Sequence, residues 1–345
     1  MDNDEGSFPK YTSLQAASQI DVARLAGVSQ AAVSRTFTPG ASVSDETRNK
    51  VLEAAHRLYY RPNVIARSLI RKSTRIIGVV AMRLSKPFYA RTIREFTRRL
   101  QAQGYWTLLF YIADDSEVEK TLPMALQYQV DGVVITSATL SSKLADEFAR
   151  TGTPVVLFNR YAATAQTHVV RCDNYAGGRM VADAFLDAGH RRIAYIAGEE
   201  GSSTNQDRER GLVDRLSERG VQLWQRAAGD YSYEAGYVAA QQLLRGSERP
   251  DAIFCADDMT AIGAMDAARY ELELRIPEDL SVIGFDDIPM AAWSAYSLTT
   301  IRQPFEEMVE ATIQQLLTAI ADPKAETVNK VIAPTIVIRN SARKV

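Results

Sequence analysis

From Ile76 onward, apolar runs of strand length alternate with segments of helical period, and this alternation limits the fold more than any other feature of the chain. Ile76–Ala81, Trp106–Ala113, Gly132–Thr136 and Pro154–Phe158 read as strands. Between them, Tyr89, Ile93, Phe96 and Leu100 recur at helical steps up to Gly104, and Glu117–Tyr128 and Ser142–Arg150 read as further helices. Continuous apolar strands separated by helices imply a parallel sheet covered on both faces. A second series starts near Val169–Cys172, with strands Ile193–Ala197, Ala252–Ala256 and Val282–Phe285. Its helices are Tyr175–Ala188, Arg208–Arg219, Tyr233–Arg245 and Met259–Tyr270. The remaining Phe305–Ala321 and Val331–Ile338 are too short for a domain, so they complete the two units and the chain crosses between lobes more than once.

Several classes drop out on composition. No apolar run approaches the roughly 18 residues of a membrane span, and Met1–Lys10 is acidic and polar, unlike a signal peptide. Two cysteines, Cys172 and Cys255, make neither a disulfide framework nor a cysteine zinc site, so a reducing cytoplasm is the expected compartment. The net charge of −2 hides an asymmetry: residues 18–75 hold ten basic residues against four acids, net +6, and the rest of the chain is acidic. A small basic head on a large acidic body suggests a nucleic-acid module attached to something else, although an Arg-rich helical face also occurs merely as a solvated surface.

The spacing within the head narrows that choice. Ser18 and Asp21 make a capping pattern at the start of a helix in which Ile20, Val22 and Leu25 supply apolar contacts, and Gly27 breaks it with a turn. Ser29 caps a second helix, Ser29–Thr36, with Val33 and Phe37 inward and Gln30, Ala31, Ser34 and Arg35 outward. Such a pair can lay its second helix in a major groove, Gln30 addressing adenine, Ala31 a thymine methyl and Arg35 guanine or a phosphate. An ordinary helical hairpin would share the Gly turn. Pro39-Gly40 breaks the chain, and Ser44 caps a third helix with a Val51, Leu52, Ala55, Leu58 stripe that stops at Tyr60-Arg61-Pro62. The helix-prone run Val64–Ile70 follows.

IDVARLAGVSQAAVSRTF, followed by VSDETRNKVLEAAHRLYYRPNVIARSL, resembles the DNA-binding head and hinge of LacI/GalR-type transcription regulators, almost continuously from Ser18 to about Arg75 and more loosely to the carboxyl terminus. The resemblance implies that Gln30 and Ala31 read bases and that Ser29, Ser34, Arg35, Ser44, Thr47 and Asn63 position the backbone or end helices. It places Ala66 and Leu69 in a hinge helix that enters the minor groove. An apolar wedge such as Leu69 kinks a duplex at a cost of a few kcal/mol of unstacking; its other reading is packing against the next domain. The Gln30-Ala31 pair means that the operator sequence is not borrowed from a familiar member. For the body, the resemblance implies two lobes like the periplasmic sugar-binding proteins, joined by three crossovers.

In open α/β sheets, ligands sit beyond the carboxyl ends of the strands. The polar and aromatic residues there are Pro87-Phe88-Tyr89, Asn159-Arg160, Arg208, Tyr231, Asp257-Asp258, Asp286-Asp287, Gln303 and Phe305. Carboxylates and amides pair with vicinal hydroxyls and aromatic faces stack on a sugar's C–H face, so the set suits a sugar-like effector. The resemblance assigns Asn159, Arg208, Asp257, Asp286, Gln303 and Phe305 to effector binding, and Phe88 and Tyr231 join them by position. Asp258 and Asp287 read rather as helix caps, Phe305 has a second reading as core between lobes, and Arg208 one as a surface ion pair. Lys86 stands where several members have Asn, which either turns ligand preference toward something acidic or caps a helix.

Catalysis is not expected. The three histidines, His56, His168 and His190, form no HExxH, and there is no GxSxG, GxGxxG after a strand or P-loop. The expected protein is a cytoplasmic, homodimeric transcription regulator, a repressor, binding a pseudo-palindromic double-stranded operator under control of a sugar-like effector, with no catalytic residue, cofactor, metal or membrane partner. The alternative is a sugar-binding protein or sugar-converting α/β enzyme without sequence-specific DNA binding. The fold class is an all-α helix–turn–helix head plus an α/β two-lobed periplasmic-binding-protein-like body with two doubly wound parallel sheets. Expected limits are 1–17 for a disordered tail, 18–62 for the helix–turn–helix domain, 63–75 for hinge helix and linker, and 76–345 for the effector-binding and dimerisation domain. Within the last, lobe 1 takes about 76–168 plus 303–325 and lobe 2 about 169–302 plus 326–345.

Overall fold

A computed structural model of the chain describes residues 17–38, 40–62, 73–82, 84–112, 117–136, 142–161, 167–246 and 248–344. The tail expected over 1–17 falls outside these residues except for Ala17, as do Asn63, Ala66 and Leu69 of the expected hinge; residues 73–75 are non-helical. The chain divides into two compact units, 1–74 and 75–345.

The first unit is three helices: α1 (Gln19–Ala26), α2 (Gln30–Thr36) and α3 (Asp45–Arg57). Ser18 caps α1 reciprocally with Asp21, and the Ser18 bonds hold the Asp21 carboxyl below its ordinary range. Gly27 takes φ +66°, the left-handed turn that only glycine adopts without strain. Val22, Ala23, Val33, Val51, Ala54 and Ala55 form the core, closed by Phe37 against Tyr60 with ring centres 5.9 Å apart. Three residues expected inside lie outside: Ile20 (53% exposed), Leu25 (42%) and Leu52 (46%). At about 100° per residue, the arcs centred on Val22–Ala26 and on Val51–Ala55 leave Ile20, Leu25 and Leu52 roughly a quarter-turn or more off the packed face.

The second unit holds two sheets. The first has the order β11-β5-β4-β3-β1-β2, from β1 (Ile76–Met82), β2 (Trp106–Ile112), β3 (Gly132–Ile135), β4 (Val155–Phe158), β5 (His168–Cys172) and β11 (Asn329–Ile332), and every pairing is parallel. The second has the order β12-β10-β9-β8-β6-β7, from β6 (Ile193–Ile196), β7 (Gln225–Ala227), β8 (Ala252–Cys255), β9 (Ser281–Phe285), β10 (Thr299–Arg302) and β12 (Thr335–Val337). Only β12 runs antiparallel. The helices over the first sheet are α4 (Pro87–Ala102), α5 (Val118–Gln127), α6 (Ser142–Thr151) and, from the late segment, α11 (Phe305–Ala321). Those of the second are α7 (Asn174–Asp187), α8 (Ser203–Glu218), α9 (Tyr233–Leu244) and α10 (Asp258–Asp266).

The pairings move the expected lobe limits. β5 is hydrogen-bonded to β4 and β11 to β5, so both belong to the first lobe, not the second. The run Val331–Ile338 is two strands in two sheets, divided at Ala333-Pro334, where proline has no N–H for a ladder. The chain therefore crosses between lobes three times, at Asp173, at Gln303-Pro304 and at Ala333-Pro334, the number that the resemblance implies. α7 and α8 meet backbone to backbone: a Cβ on Gly178 would lie 2.1 Å from the Arg208 carbonyl oxygen, so glycine there sets how deep α8 and its Arg208 are seated.

Candidate effector cleft and nucleic-acid interface

In the head, helix capping leaves the reading face open. The Ser29 hydroxyl accepts from Ala32 N–H and that of Ser44 from Thr47 N–H, while the Gln19 amide donates to the Gln30 carbonyl and fastens the first turn of α2. The Arg48 guanidinium donates to the Thr36 carbonyl at its other end. Pinned at both ends by α1 and α3, α2 turns the exposed Gln30, Ala31, Ser34 and Arg35 to solvent as one surface. Ser29 and Ser44 are exposed and Thr47 half-buried at helix starts, where backbone N–H groups favour an anion.

In the body, the carboxyl ends of the parallel strands face each other across the lobes and enclose a cleft of about 450 Å³, mouth included. Its wall brings together Phe88 at the start of α4, Asn159 after β4, Arg208 from α8, Tyr231 after β7, Asp257 after β8 and Asp286 after β9. Four of the non-glycine residues with positive φ lie at these strand ends: Asn159 (+71°), Tyr231 (+65°), Asp286 (+114°) and Asp287 (+53°). Backbone held in such strained conformations clusters where side chains are aimed for function.

Arg208 is 2% exposed, which settles its two readings in favour of burial. Its guanidinium lies 3.6 Å from the Phe285 ring centre and donates to Asn174 (2.8 Å), to the Ala256 carbonyl and to Asp286 (3.3 Å). Arg208 thus orients Asp286, which also accepts from the Gln303 amide at 2.7 Å. Tyr231 is locked by hydroxyl bonds to Ser202 (2.8 Å) and Thr204 (2.9 Å). The Asn159 side-chain oxygen and the Gln303 amide oxygen are buried with no partner among the described residues, two acceptors held ready for donors.

Gln303 and Phe305 do not line this cleft. They border an adjoining cavity of about 600 Å³, mouth included, with Arg91, Asp287, Arg302 and Glu306, which shares Asp286 with it. Phe305 packs edge-on to Phe88 at 5.8 Å under the Arg91 guanidinium, so its alternative reading as core holds. The caps are reassigned as well. Asp257 caps α10 through Thr260 N–H while facing the cleft, whereas Asp258 is buried against Ile288 N–H and the Thr300 hydroxyl. Asp287 pairs with Arg302 (2.7 Å) and Arg339 (2.6 Å). Thr204, Met259 and Ile288 also line the cleft and escaped the sequence reading, though Met259 and Ile288 lie within a few residues of a strand's carboxyl end and Thr204 in the first turn of α8.

Burial and the neighbouring Asp286 charge push the Asp257 carboxyl up to about 6. Its protonated form is therefore favoured in the folded protein, giving stability that is present below its ordinary value of 3.8 and is lost as pH rises through about 6. Asp257→Asn keeps a good N-cap and removes the buried charge. We expect it to raise stability at pH 7.5 by about 3 kcal/mol, and to flatten the change in melting temperature between pH 5 and pH 7, as followed by calorimetry.

One arrangement resembles catalytic machinery without being able to act as it. His190 bonds Ser281 through Nε2 (2.8 Å) and Asp251 through Nδ1 (3.2 Å), but Ser281 is fully buried, and its hydroxyl also accepts from Arg343 N–H. A nucleophile needs an approach path for substrate. These three instead tie the starts of β8 and β9 to the last residues of the chain. No group of residues that could hold a metal occurs among the described residues, and no helix among them is long and apolar enough to cross a membrane.

A capped helix–turn–helix with an open polar face, followed on the same chain by a two-lobed cleft, defines an effector-linked DNA-binding regulator. Residues 20–63 match the family described as bacterial regulatory proteins, lacI family, and residues 182–342 match the periplasmic binding protein-like domain. The chain is 34% identical to the HTH-type transcriptional repressor PurR of Erwinia tasmaniensis, over 93% of this chain and 95% of that protein. It is 32% identical to the ribose operon repressor of Haemophilus influenzae, over 94% and 98%. In structure it is similar to the lac repressor dimer bound to operator and the anti-inducer ONPF, with a TM-score of 0.86, 26% identity and coverage of 95% and 99%. The chain belongs to the LacI family of transcription regulators and is a DNA-binding regulator, not an enzyme.

Proposed function

We propose that this protein is a homodimeric transcriptional repressor whose two heads bind a pseudo-palindromic operator and whose cleft takes a sugar-like effector. Gln30 and Ala31 read bases; Ser29, Ser34, Arg35, Ser44, Thr47 and Asn63 set the head on the phosphates; Ala66 and Leu69 enter the minor groove. Phe88, Asn159, Arg208, Tyr231, Asp257 and Asp286 hold the effector, with Gln303 and Phe305 supporting from the adjoining cavity. The observation that carries this reading is the buried Asn159 side-chain oxygen in the cleft wall, without a partner among the described residues, together with the Asp286 carboxylate that Arg208 and Gln303 orient there, because a hydroxyl-rich ligand supplies donors to both.

Dimerisation is supported by β2. It is an edge strand, and it exposes Trp106 (64%), Leu109 (42%) and Tyr111 (54%), apolar surface that an isolated chain would leave wet. The neighbour in structure is itself a dimer on operator. A partner that is genomic DNA places the protein in the cytoplasm, in keeping with two buried free thiols.

Linkage follows from the covalent order. Residues 63–75 serve as hinge and linker between the head and lobe 1, and Arg75 is fastened to that lobe by Asp131 (3.0 Å) and by stacking on Tyr105 (4.7 Å). Lobe movement displaces this anchor and so alters whether two hinges fit one groove, by no more than the effector's differential affinity for the two states.

The test uses the full chain. A thermal-shift panel of aldoses, sugar acids and polyols should yield at least one compound that raises the body's melting temperature. That compound should then change the mobility shift of DNA from upstream of the protein's own gene but not of scrambled DNA. Equal retention of both DNAs at every salt concentration refutes the reading.

A further inference from the structure

The cleft's mouth carries a contact that its walls do not explain. Lys86 precedes α4 in the first lobe and makes no side-chain cap there. Its ammonium instead reaches the second lobe, 2.7 Å from the Asp230 carbonyl oxygen and 5.1 Å from the Tyr231 ring centre. The acceptor is built rather than incidental. Asp230 binds the next turn through Ser232 N–H, Tyr231 is held at φ +65° by its two hydroxyl bonds, and its ring lies where a Cβ on Gly198 would stand. A carbonyl oxygen beside an aromatic face is a good seat for an ammonium ion. The carboxylates Asp257 and Asp286 share the cleft wall, so the cation also balances charge inside it.

Its position in the fold gives the contact leverage. The crossovers at Gln303-Pro304 and Ala333-Pro334 join α11 and β11 to the β10 and β12 edge of the second sheet, and the one at Asp173 leads from β5 into α7, which packs on β12, while β7, which leads to Asp230, is the opposite edge. Other bridges between lobes, Arg160–Glu199 (2.9 Å) and Arg171–Asp207 (3.5 Å), start from β4 and β5, beside the crossovers. A bond near a pivot barely resists rotation; one at the far rim resists it with the longest arm.

We propose that Lys86 is a cross-cleft latch that holds the two lobes together before any effector arrives, so that the unliganded protein rests closed and an effector must enter against this contact. The proposal concerns lobe motion alone, and its test needs neither DNA nor effector, so it stands or falls separately from the repressor reading.

Spin labels at Gln101→Cys on α4 and Arg245→Cys after α9, both exposed and in different lobes, report lobe separation by double electron–electron resonance. The native thiols are buried, Cys172 pushed up to about 12, and take no label. Dilution with unlabelled protein restricts the signal to distances within one chain. The labelled full chain should give a short, narrow distribution. Adding Lys86→Met, which keeps the length of the side chain but not its charge, should lower the closed-to-open ratio about tenfold and move the distribution to longer distances, while Lys86→Arg should remain closed. An unchanged distribution in Lys86→Met, or equal opening in Lys86→Arg, overturns the latch. Because Lys86 is half-buried at the mouth and outside both cores, both variants should fold, Lys86→Arg with an unaltered melting temperature and Lys86→Met with one lower by no more than about 5 °C.

Discussion

Operator affinity in the Gln30→Ala, Arg35→Ala double variant is expected to fall about a thousandfold at fixed salt, while affinity for scrambled DNA changes little. The Gln30 contact to a base edge is worth about 1–3 kcal/mol of discrimination, the Arg35 phosphate contact adds a smaller loss shared by all sequences, and a dimer loses each contact twice. Non-specific attraction comes from the whole basic head, net +6 over residues 18–75, of which one charge is removed. Both residues are exposed and outside the Val22–Val33–Val51 core, so the thermal transition of the head should be unchanged. Fluorescence anisotropy with operator and scrambled duplexes across a salt series separates the outcomes. Proportional loss on both DNAs would mean that α2 holds phosphates and reads nothing.

The second large effect is Arg208→Ala. Removing one partner of a buried ion pair costs about 3–5 kcal/mol, because the other charge is left unpaired. Here it strands Asp286 and empties the face of Phe285. At about 2–4 °C per kcal/mol for a body of this size, melting should drop by about 10 °C, and effector response should vanish. Arg208→Met with Asp286→Asn distinguishes positioning from packing. The pair removes both charges at similar volume, so much of the melting temperature should return, but the effector-induced shift should not. Recovery of that shift would show that neither charge takes part in recognition.

Much of this protein was legible from residue spacing. The Ser18–Asp21 box, the Gly27 turn and the Ser29 and Ser44 caps depend on contacts three or four residues apart, so a short window contains their physics, and all appear in place. Strand ends in a parallel sheet collect on one side whatever the details, which is why six of eight expected effector residues meet in one cleft. Misreadings arose where the outcome depended on a distant partner. Val169–Cys172 reads as the opening of a second series until β4 and β11 are seen to flank it. Asp257 and Asp258 are adjacent and alike, yet the cap fell to one and a buried bond to Thr300, 42 residues away, to the other.

From its order of residues alone, the chain specified a capped three-helix head, an α/β body with polar strand ends and the chemistry available at each end, because caps, turns and periodicity act over a few residues. Tertiary structure decided which strands share a sheet, that Arg208 is a buried clamp and not a surface ion pair, that Phe305 supports the cleft from behind, and that Lys86 spans it. Those outcomes hinge on burial and on hydrogen-bond partners far apart in the chain, such as Lys86 and Asp230, 144 residues distant, which become neighbours only when two lobes fold against each other.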